Sequence, residues 1–390
     1  MSNIIPLSTI DHIFTGVGSY PIEFIFKYKG YLNQDILKIS LEKATKYFPI
    51  ISSKLVKLSD ESYGFELSPA GIVFEVVHSD IPFEVNDKKY IYINHVETLE
   101  GNPLAKFRIT HTPKGSVLGV SISHSIADGF SYFHFLSSWA KIANDNQFFP
   151  PIHKRNLLIS DPDPDHYDVS QAGVLSGSGL FLDKKRTIIA KEDLKWMSRI
   201  FTTEELNDLH THAQKECDTR LSFNDIVTAQ LSKEFLLKWD MPEGPESFYI
   251  SCPVDFRRLW DGFPKTYFGN AVVLTTTSIE YQDLQKISLA ELALNIRSNV
   301  KKVDEIYIEQ SIKTLSTLQS QKKRKIFERI HVMHPRSGLL VTNLSRLPVH
   351  EIEFNAGPPT AYSILTQTVR GAVILPHNQG LEVRVCCPID

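Results

Sequence analysis

Cysteine is scarce in this 390-residue chain. Cys217, Cys252, Cys386 and Cys387 form no C-x-x-C pair and match no zinc-ligand spacing. That excludes a disulfide framework and leaves buried free thiols in a reducing compartment as the expectation. Adjacent Cys386 and Cys387 would point to opposite faces of a strand. No apolar run approaches the ~18 residues that a membrane span needs. The opening Met1-Ser2-Asn3-Ile4-Ile5-Pro6 lacks the basic region and long apolar stretch of a signal peptide, so a cytoplasmic protein is expected. Charge of one sign is also missing, since the net charge is only -3. No global positive field draws nucleic acid or an anionic membrane, and an anionic ligand would need a local basic patch. The chain has no G-x-x-x-x-G-K-[ST] loop, no G-x-G-x-x-G and no G-x-S-x-G elbow. The commonest nucleotide-binding and covalent-serine readings fall with them.

What is present is ordinary globular composition, 42% hydrophobic and 22% charged. The length suggests two domains or three. A helix is expected from Asn33, a plausible N-cap, to Phe48, with Ile36, Leu37, Leu41, Ala44 and Phe48 on one stripe and Pro49 as its stop. A second covers about Phe130 to Asn144. Strand-like runs read at Ile22–Tyr28, Ser52–Leu58, Phe65–Leu67, Val73–His78 and Val117–Ile122. Phe149 to about Leu182 is rich in proline, glycine and serine and reads as a long surface crossover. Capping boxes at Thr202–Glu205 and Ser288–Glu291, with an aspartate version at Ser222–Asp225, open helices in the second half. Further strands read at Ser247–Pro253, Ala271–Ser278, Gly338–Val341, Tyr362–Gln367, Gly371–Leu375 and Leu381–Cys387. Two α/β domains of similar size with a cleft between them fit this order better than one large sheet.

Several local signals carry little chemistry. Asp161 to Asp168 alternates carboxylates with prolines but lacks the glycine and closing glutamate of a calcium loop, and reads as a solvated acidic loop. His210 with His212, and His331 with His334, have no companion cluster, so no metal is expected. Lys322-Lys323-Arg324-Lys325 reads as a solvated helix face, with a dock for a phosphorylated cofactor tail as its alternative.

The most informative stretch is Ser121-Ile122-Ser123-His124-Ser125-Ile126-Ala127-Asp128-Gly129. A buried strand ends at a histidine, and an aspartate and a glycine follow ahead of an amphipathic helix. A neutral imidazole at a strand end is a ready general base, because its unperturbed pKa of about 6.5 lies near working pH. Asp128, four residues on, could pair elsewhere and hold the turn. The competing reading is a histidine satisfied inside a core beside a helix-capping aspartate, and these residues alone leave the two balanced.

These residues, taken with others along the chain, resemble the BAHD acyltransferases. The match includes Pro6-Leu7-Ser8-Thr9-Ile10-Asp11, Phe48-Pro49-Ile50, Pro103-Leu104, Leu118 through Trp139, Ser222-Phe223-Asn224-Asp225, Val254-Asp255-Phe256-Arg257, Tyr267-Phe268-Gly269-Asn270 and Thr342 through Pro348. The family's second motif, D-F-G-W-G, is replaced here by Glu353-Phe354-Asn355-Ala356-Gly357. The resemblance implies two chloramphenicol-acetyltransferase-like α/β domains, each a mixed sheet with flanking helices, around a tunnel at their interface. The expected division is 1–170, a crossover at 171–200, and 201–390, with a strip near 353–377 joining the first domain.

The activity it implies is transfer of an acyl group from acyl-CoA, a co-substrate and not a resident cofactor, to a hydroxyl or amine of a small, secondary-metabolite acceptor. By the same resemblance His124 is the base, Asp128 pairs structurally with Arg257, and Thr342 is a candidate oxyanion donor. Gly129, Asn270 and Asn343 stand on the substrate side, Glu353 is structural, and the protein is a monomer. Two alternatives stay open. One is a condensation-type enzyme using a carrier-protein thioester, against which Ser123 stands where such domains carry a second histidine. The other is a non-catalytic binding protein of the same fold.

Overall fold

The computed structural model describes residues 4–15, 19–59, 62–67, 72–83, 89–163, 173–175, 178–183, 194–236, 246–320, 327 and 329–388. In chain order the first part holds β1 (Ile4–Pro6), β2 (Pro21–Tyr28), α1 (Gln34–Tyr47), β3 (Ser53–Lys57), β4 (Tyr63–Leu67), β5 (Val73–His78), β6 (Ala105–Thr112), β7 (Gly115–Ser123) and α2 (Gly129–Ala143). The second part holds β8 (Phe181–Leu182), β9 (Leu194–Thr202), α3 (Thr203–Lys215), α4 (Phe223–Leu236), β10 (Ser247–Asp255), β11 (Val272–Glu280), α5 (Tyr281–Leu284), α6 (Leu289–Lys301), α7 (Glu305–Ser320), β12 (Ile330–His331), β13 (Gly338–Asn343), β14 (Ala361–Ile364), β15 (Gly371–His377) and β16 (Gly380–Pro388).

Two mixed sheets dominate, one of five strands ordered β14-β2-β7-β6-β5 and one of six ordered β11-β10-β13-β15-β16-β9. Helices α1 and α2 cover the first sheet. Trp139 of α2 is fully buried against Phe107 and Phe354 and donates its indole N–H to Ser40 of α1 at 3.0 Å. The second sheet buries Ile250, Leu339 and Val383 in one core with Leu231 of α4 and Leu292 and Ile296 of α6. No helix among the described residues is long and apolar enough to cross a membrane.

The helix starts follow local chemistry. Asn33 Oδ1 accepts from the amides of Asp35 and Ile36, and Thr202 and Ser288 each accept from the glutamate amide three residues on. Four cysteines stand as free thiols, with Cys252, Cys386 and Cys387 buried.

Three sequence expectations are corrected. The stretch from Phe149 to Leu182 is not simply a surface crossover. Arg155, Leu158, Leu175, Leu180 and Phe181 are buried, and Leu158, Leu175 and Leu180 belong to a third core with Phe256, Tyr267 and Leu315. Residues 194–200 are not crossover either. They belong to β9, the edge strand paired with β16 along its whole length. The strip at 353–377 divides: β14 pairs with β2 in the first sheet, whereas β15 lies between β13 and β16 in the second. Of the acidic loop, Asp163 pairs with Lys313 at 3.0 Å, and residues 164–168 lie outside the described residues, as does the run Lys322–Lys325.

Candidate active site

β7 is buried at every position and ends at Ser123, so His124 leaves the sheet at a fixed point. The turn that follows is held by Asp128. Its Oδ1 accepts from the amide of Ser131 at 2.8 Å and caps α2. Its Oδ2 accepts from the amide of Ala271 at 2.9 Å and lies 2.8 Å from Arg257 Nη1. Both partners of this ion pair are almost fully buried. Burial would push the Asp128 carboxyl up, but the Arg257 charge and hydrogen bond hold it below the usual carboxylate range. Arg257 also donates to the carbonyls of Tyr267 and Gly269 and to Ser131, and reaches Asp255 at 3.1 Å. The Asp128 carboxylate is therefore spent on backbone and arginine and does not bond to the imidazole.

The imidazole is held from another direction. Asn270 Nδ2 faces three acceptors: Asp11 Oδ1 at 2.8 Å, the His124 carbonyl at 2.8 Å and the Ser125 carbonyl at 3.4 Å. That fixes the amide, so its Oδ1 turns to His124 Nδ1 at 3.1 Å and must accept a proton there. The proton thus sits on Nδ1, and Nε2 carries the lone pair. The Phe14 ring stacks on the imidazole at 3.8 Å between centroids, and Tyr20 meets it edge-on at 5.4 Å. Burial in this setting pushes the His124 pKa down, against the opposing pull of its own carbonyl, Asp128, Asn270 and Asp11.

Behind Asn270 stands a second buried pair, Asp11 with Arg155 at 3.2 Å. Arg155 donates to the carbonyls of Phe268 and Ile126. Asp11, Arg155, Phe14 and Tyr20 were not among the expected site residues. Ser8 and Asp11 bond reciprocally, a short S-x-x-D turn that the sequence displays. Arg155 lies in the proline-rich stretch and has no local signal.

A cavity of about 130 Å³ opens at His124 between the two sheets. Phe14, Tyr20, Ile22 and Phe24 form one wall, and Leu340, Thr342 and Val373 form part of the other, with Gly129 and Leu344 beside His124. A Cβ built on Gly129 would come within 3.3 Å of Leu344, so the glycine keeps this passage open. Thr342 reaches the cavity. Asn343 does not, because successive residues on β13 point to opposite faces; it is exposed and donates to Asn224 at 2.9 Å. It therefore stands outside the cavity wall, whereas the resemblance puts it on the substrate side. Glu353 is exposed and contributes its carbonyl to Asn144, while Phe354 packs on Trp139. Of the altered second motif, Phe354 lies in the helix-covered core, Glu353 and Asn355 are exposed, and none of its residues lines the cavity.

The other histidine pairs are occupied locally: His210 by the Leu221 carbonyl, His212 by the Asp208 carbonyl and His334 by Ser337. Among the described residues no group of three or more His, Cys, Asp or Glu gathers as a metal site.

The chain matches the Transferase family profile over residues 1–389. It is 23% identical to shikimate O-hydroxycinnamoyltransferase of Nicotiana tabacum, over 85% of this chain and 78% of that one. It is 24% identical to anthranilate N-benzoyltransferase protein 1 of Dianthus caryophyllus, over 90% of this chain and 81% of the other. Among solved structures, F. sporotrichioides TRI101 complexed with coenzyme A and T-2 superposes with a TM-score of 0.78 at 14% identity, covering 98% of this chain and 95% of that one. Vinorine synthase gives 0.71 at 17% identity, over 100% and 90%. These likenesses establish the two-domain α/β fold, and with the family match over nearly its whole length the chain belongs to the BAHD acyltransferases, enzymes that move an acyl group from acyl-CoA to a hydroxyl or amine of a small molecule.

Proposed function

We propose that His124 is the general base of a direct transfer with no acyl-enzyme intermediate, from an acyl-CoA, an aromatic one by likeness to the hydroxycinnamoyl- and benzoyltransferases, to a small secondary-metabolite alcohol or amine. The observation that carries this reading is the fixed tautomer. Nδ1–H is committed to Asn270, and Nε2 has no protein partner among the described residues while the ring faces the inter-sheet cavity. The lowered pKa keeps the base neutral near pH 7.

The acceptor O–H or N–H gives its proton to Nε2 as its oxygen or nitrogen bonds to the thioester carbon. The carbonyl oxygen becomes an oxyanion, to which the Thr342 hydroxyl donates. As the intermediate collapses, the C–S bond breaks and the leaving thiolate takes the proton back from Nε2. Holding both substrates in line at one imidazole supplies the entropic part of the rate. Asp128 and Arg257 act on the loop and leave the proton path to His124.

The test is thioester turnover by the purified protein. A panel of acyl-CoAs and, separately, an acyl-carrier thioester are offered with pooled alcohols and amines, free thiol release is followed, and His124→Ala runs beside it. Acceptor-dependent release by wild type, reduced about 10²- to 10⁴-fold in the variant, is the expected result. Equal release by both proteins overturns the assignment of the base. Release only from an acyl-carrier thioester replaces the donor, and no release from either donor by the folded protein favours a binding role.

A further inference from the structure

Neighbouring strands β13, β15, β16 and β9 align Thr342, Val373, Arg384 and Ser198 in a single row. Directly opposed residues share one face of a sheet, and Thr342 and Val373 both line the cavity. Arg384 therefore stands on the cavity side. It is two strands from Thr342, or about 10 Å at ~4.7–4.9 Å per strand spacing. Its guanidinium lies over the Trp196 ring, 5.2 Å from the centroid, and its one hydrogen bond among the described residues is a long contact of 3.5 Å to the Ile364 carbonyl. Trp196 and Ile364 are themselves wall residues.

Among the described residues no carboxylate pairs with Arg384. Glu23 belongs to the same corner, where its charge and that of Arg384 both act on half-exposed Tyr90. The Glu23 carboxylate is already engaged, by His95 at 2.7 Å and Ser121 at 2.8 Å. Arg257, another cation near the wall, is neutralised by Asp128 and Asp255, and Arg370 is turned to the carbonyls of Gly338 and Pro335. The guanidinium of Arg384 thus keeps most of its planar fork of donors unspent, the geometry that matches a carboxylate in two parallel bonds.

We propose that Arg384 reads the acceptor, pairing with a carboxylate held across a flat, ring-sized apolar body from the hydroxyl or amine that reacts at His124. Trp196, Ile364 and Val373 supply the apolar floor for that body. The inference rests on the reading of His124 as the reacting centre. The phosphates of coenzyme A do not fit the same role, because the pantetheine arm sets them farther from the thioester than two strand spacings.

The probes are 3-hydroxy- and 3-aminobenzoate, each against its methyl ester, tested with wild type, Arg384→Gln and Arg384→Lys. Turnover with benzoyl-CoA is one readout, and equilibrium binding of the same probes without donor is the other. Wild type should prefer acid over ester by about 10- to 100-fold, the value of a charge-assisted hydrogen-bonded pair. Arg384→Gln should bring that ratio to about one, with Arg384→Lys between the two. Equal use and equal binding of acid and ester by wild type overturn the proposal. So does an Arg384→Gln variant whose loss falls on acid and ester alike, as a merely structural arginine would give, or on the KM for benzoyl-CoA. Failure of transfer with every probe and every donor of the panel, while acid-selective binding persists and depends on Arg384, sinks the catalytic reading and leaves Arg384 as the carboxylate reader of a bound ligand.

Discussion

Two buried aspartate–arginine pairs flank His124, and they do different work. Asp128–Arg257 spends its hydrogen bonds on the amides of Ser131 and Ala271 and on the carbonyls of Tyr267 and Gly269. It ties the histidine loop to the segment at 267–271 and makes no hydrogen bond to the ring. Asp11–Arg155 reaches the ring, because Asp11 orients the Asn270 amide whose oxygen accepts from Nδ1. One pair builds the place where the base stands, and the other sets its tautomer, while the charges of both aspartates act on the ring through space. The aspartate four residues from the histidine is the architectural one, as the resemblance implies, and the one that orients the ring's hydrogen-bond partner is more than a hundred residues away.

The largest effect expected from breaking this arrangement is on rate. His124→Ala removes the proposed base and should lower kcat about 10²- to 10⁴-fold with the fold retained, as read by circular dichroism beside the thiol-release assay. Next comes stability on the architectural side. Asp128→Ala leaves Arg257 buried with only Asp255 as a carboxylate partner, and removing one member of a buried pair costs about 3–5 kcal/mol. Urea unfolding checks this. A loss under 1 kcal/mol would mean that Asp255 and the backbone carbonyls suffice for Arg257. On the tuning side, Asn270→Ala should lower kcat about tenfold, one hydrogen bond's worth near 1.4 kcal/mol, while the KM for acyl-CoA stays put. A matching rise in that KM would show that the amide shapes the cavity and not the tautomer.

The same contrast explains what was legible in the sequence. Asn33, Thr202 and Ser288 cap their helices because capping is a local negotiation between one side chain and the next turn. The strand ending at His124 was legible because its apolar run and the D-G that follows are contiguous. The Asp11–Asn270–His124 contacts join residues 146 and 259 positions apart, and no local pattern encodes them. Arg155 was hidden in proline-rich sequence that reads as surface, yet its guanidinium is buried. β9 went unread since Lys195, Arg199 and their neighbours break a clean alternation, although the strand pairs fully with β16. Thr342 and Asn343 both came from the resemblance of the 342–348 segment, and the two-residue period of a strand sends them to opposite sides.

The smallest effect is the sharpest test of the tuning pair. Burial already depresses the His124 pKa, so the acid limb of kcat/KM should lie below about 6.5, the ordinary imidazole value. Asp11 is one of the charges that pull it back up. Asp11→Asn removes that negative charge, which disfavours the imidazolium further, so the limb should move to still lower pH. Asn270 keeps its bonds to the His124 and Ser125 carbonyls and still presents Oδ1 to Nδ1. The rate on the alkaline plateau should therefore change less than the limb does. An Asp128→Asn variant acts on the same limb without touching Asn270, since its carboxylate also raises the imidazole pKa through space. If the two variants shift the limb alike while only Asp11→Asn alters the plateau, field and orientation are separable. If Asp11→Asn leaves the limb where it was, the Asp11 arm orients the ring without setting its charge.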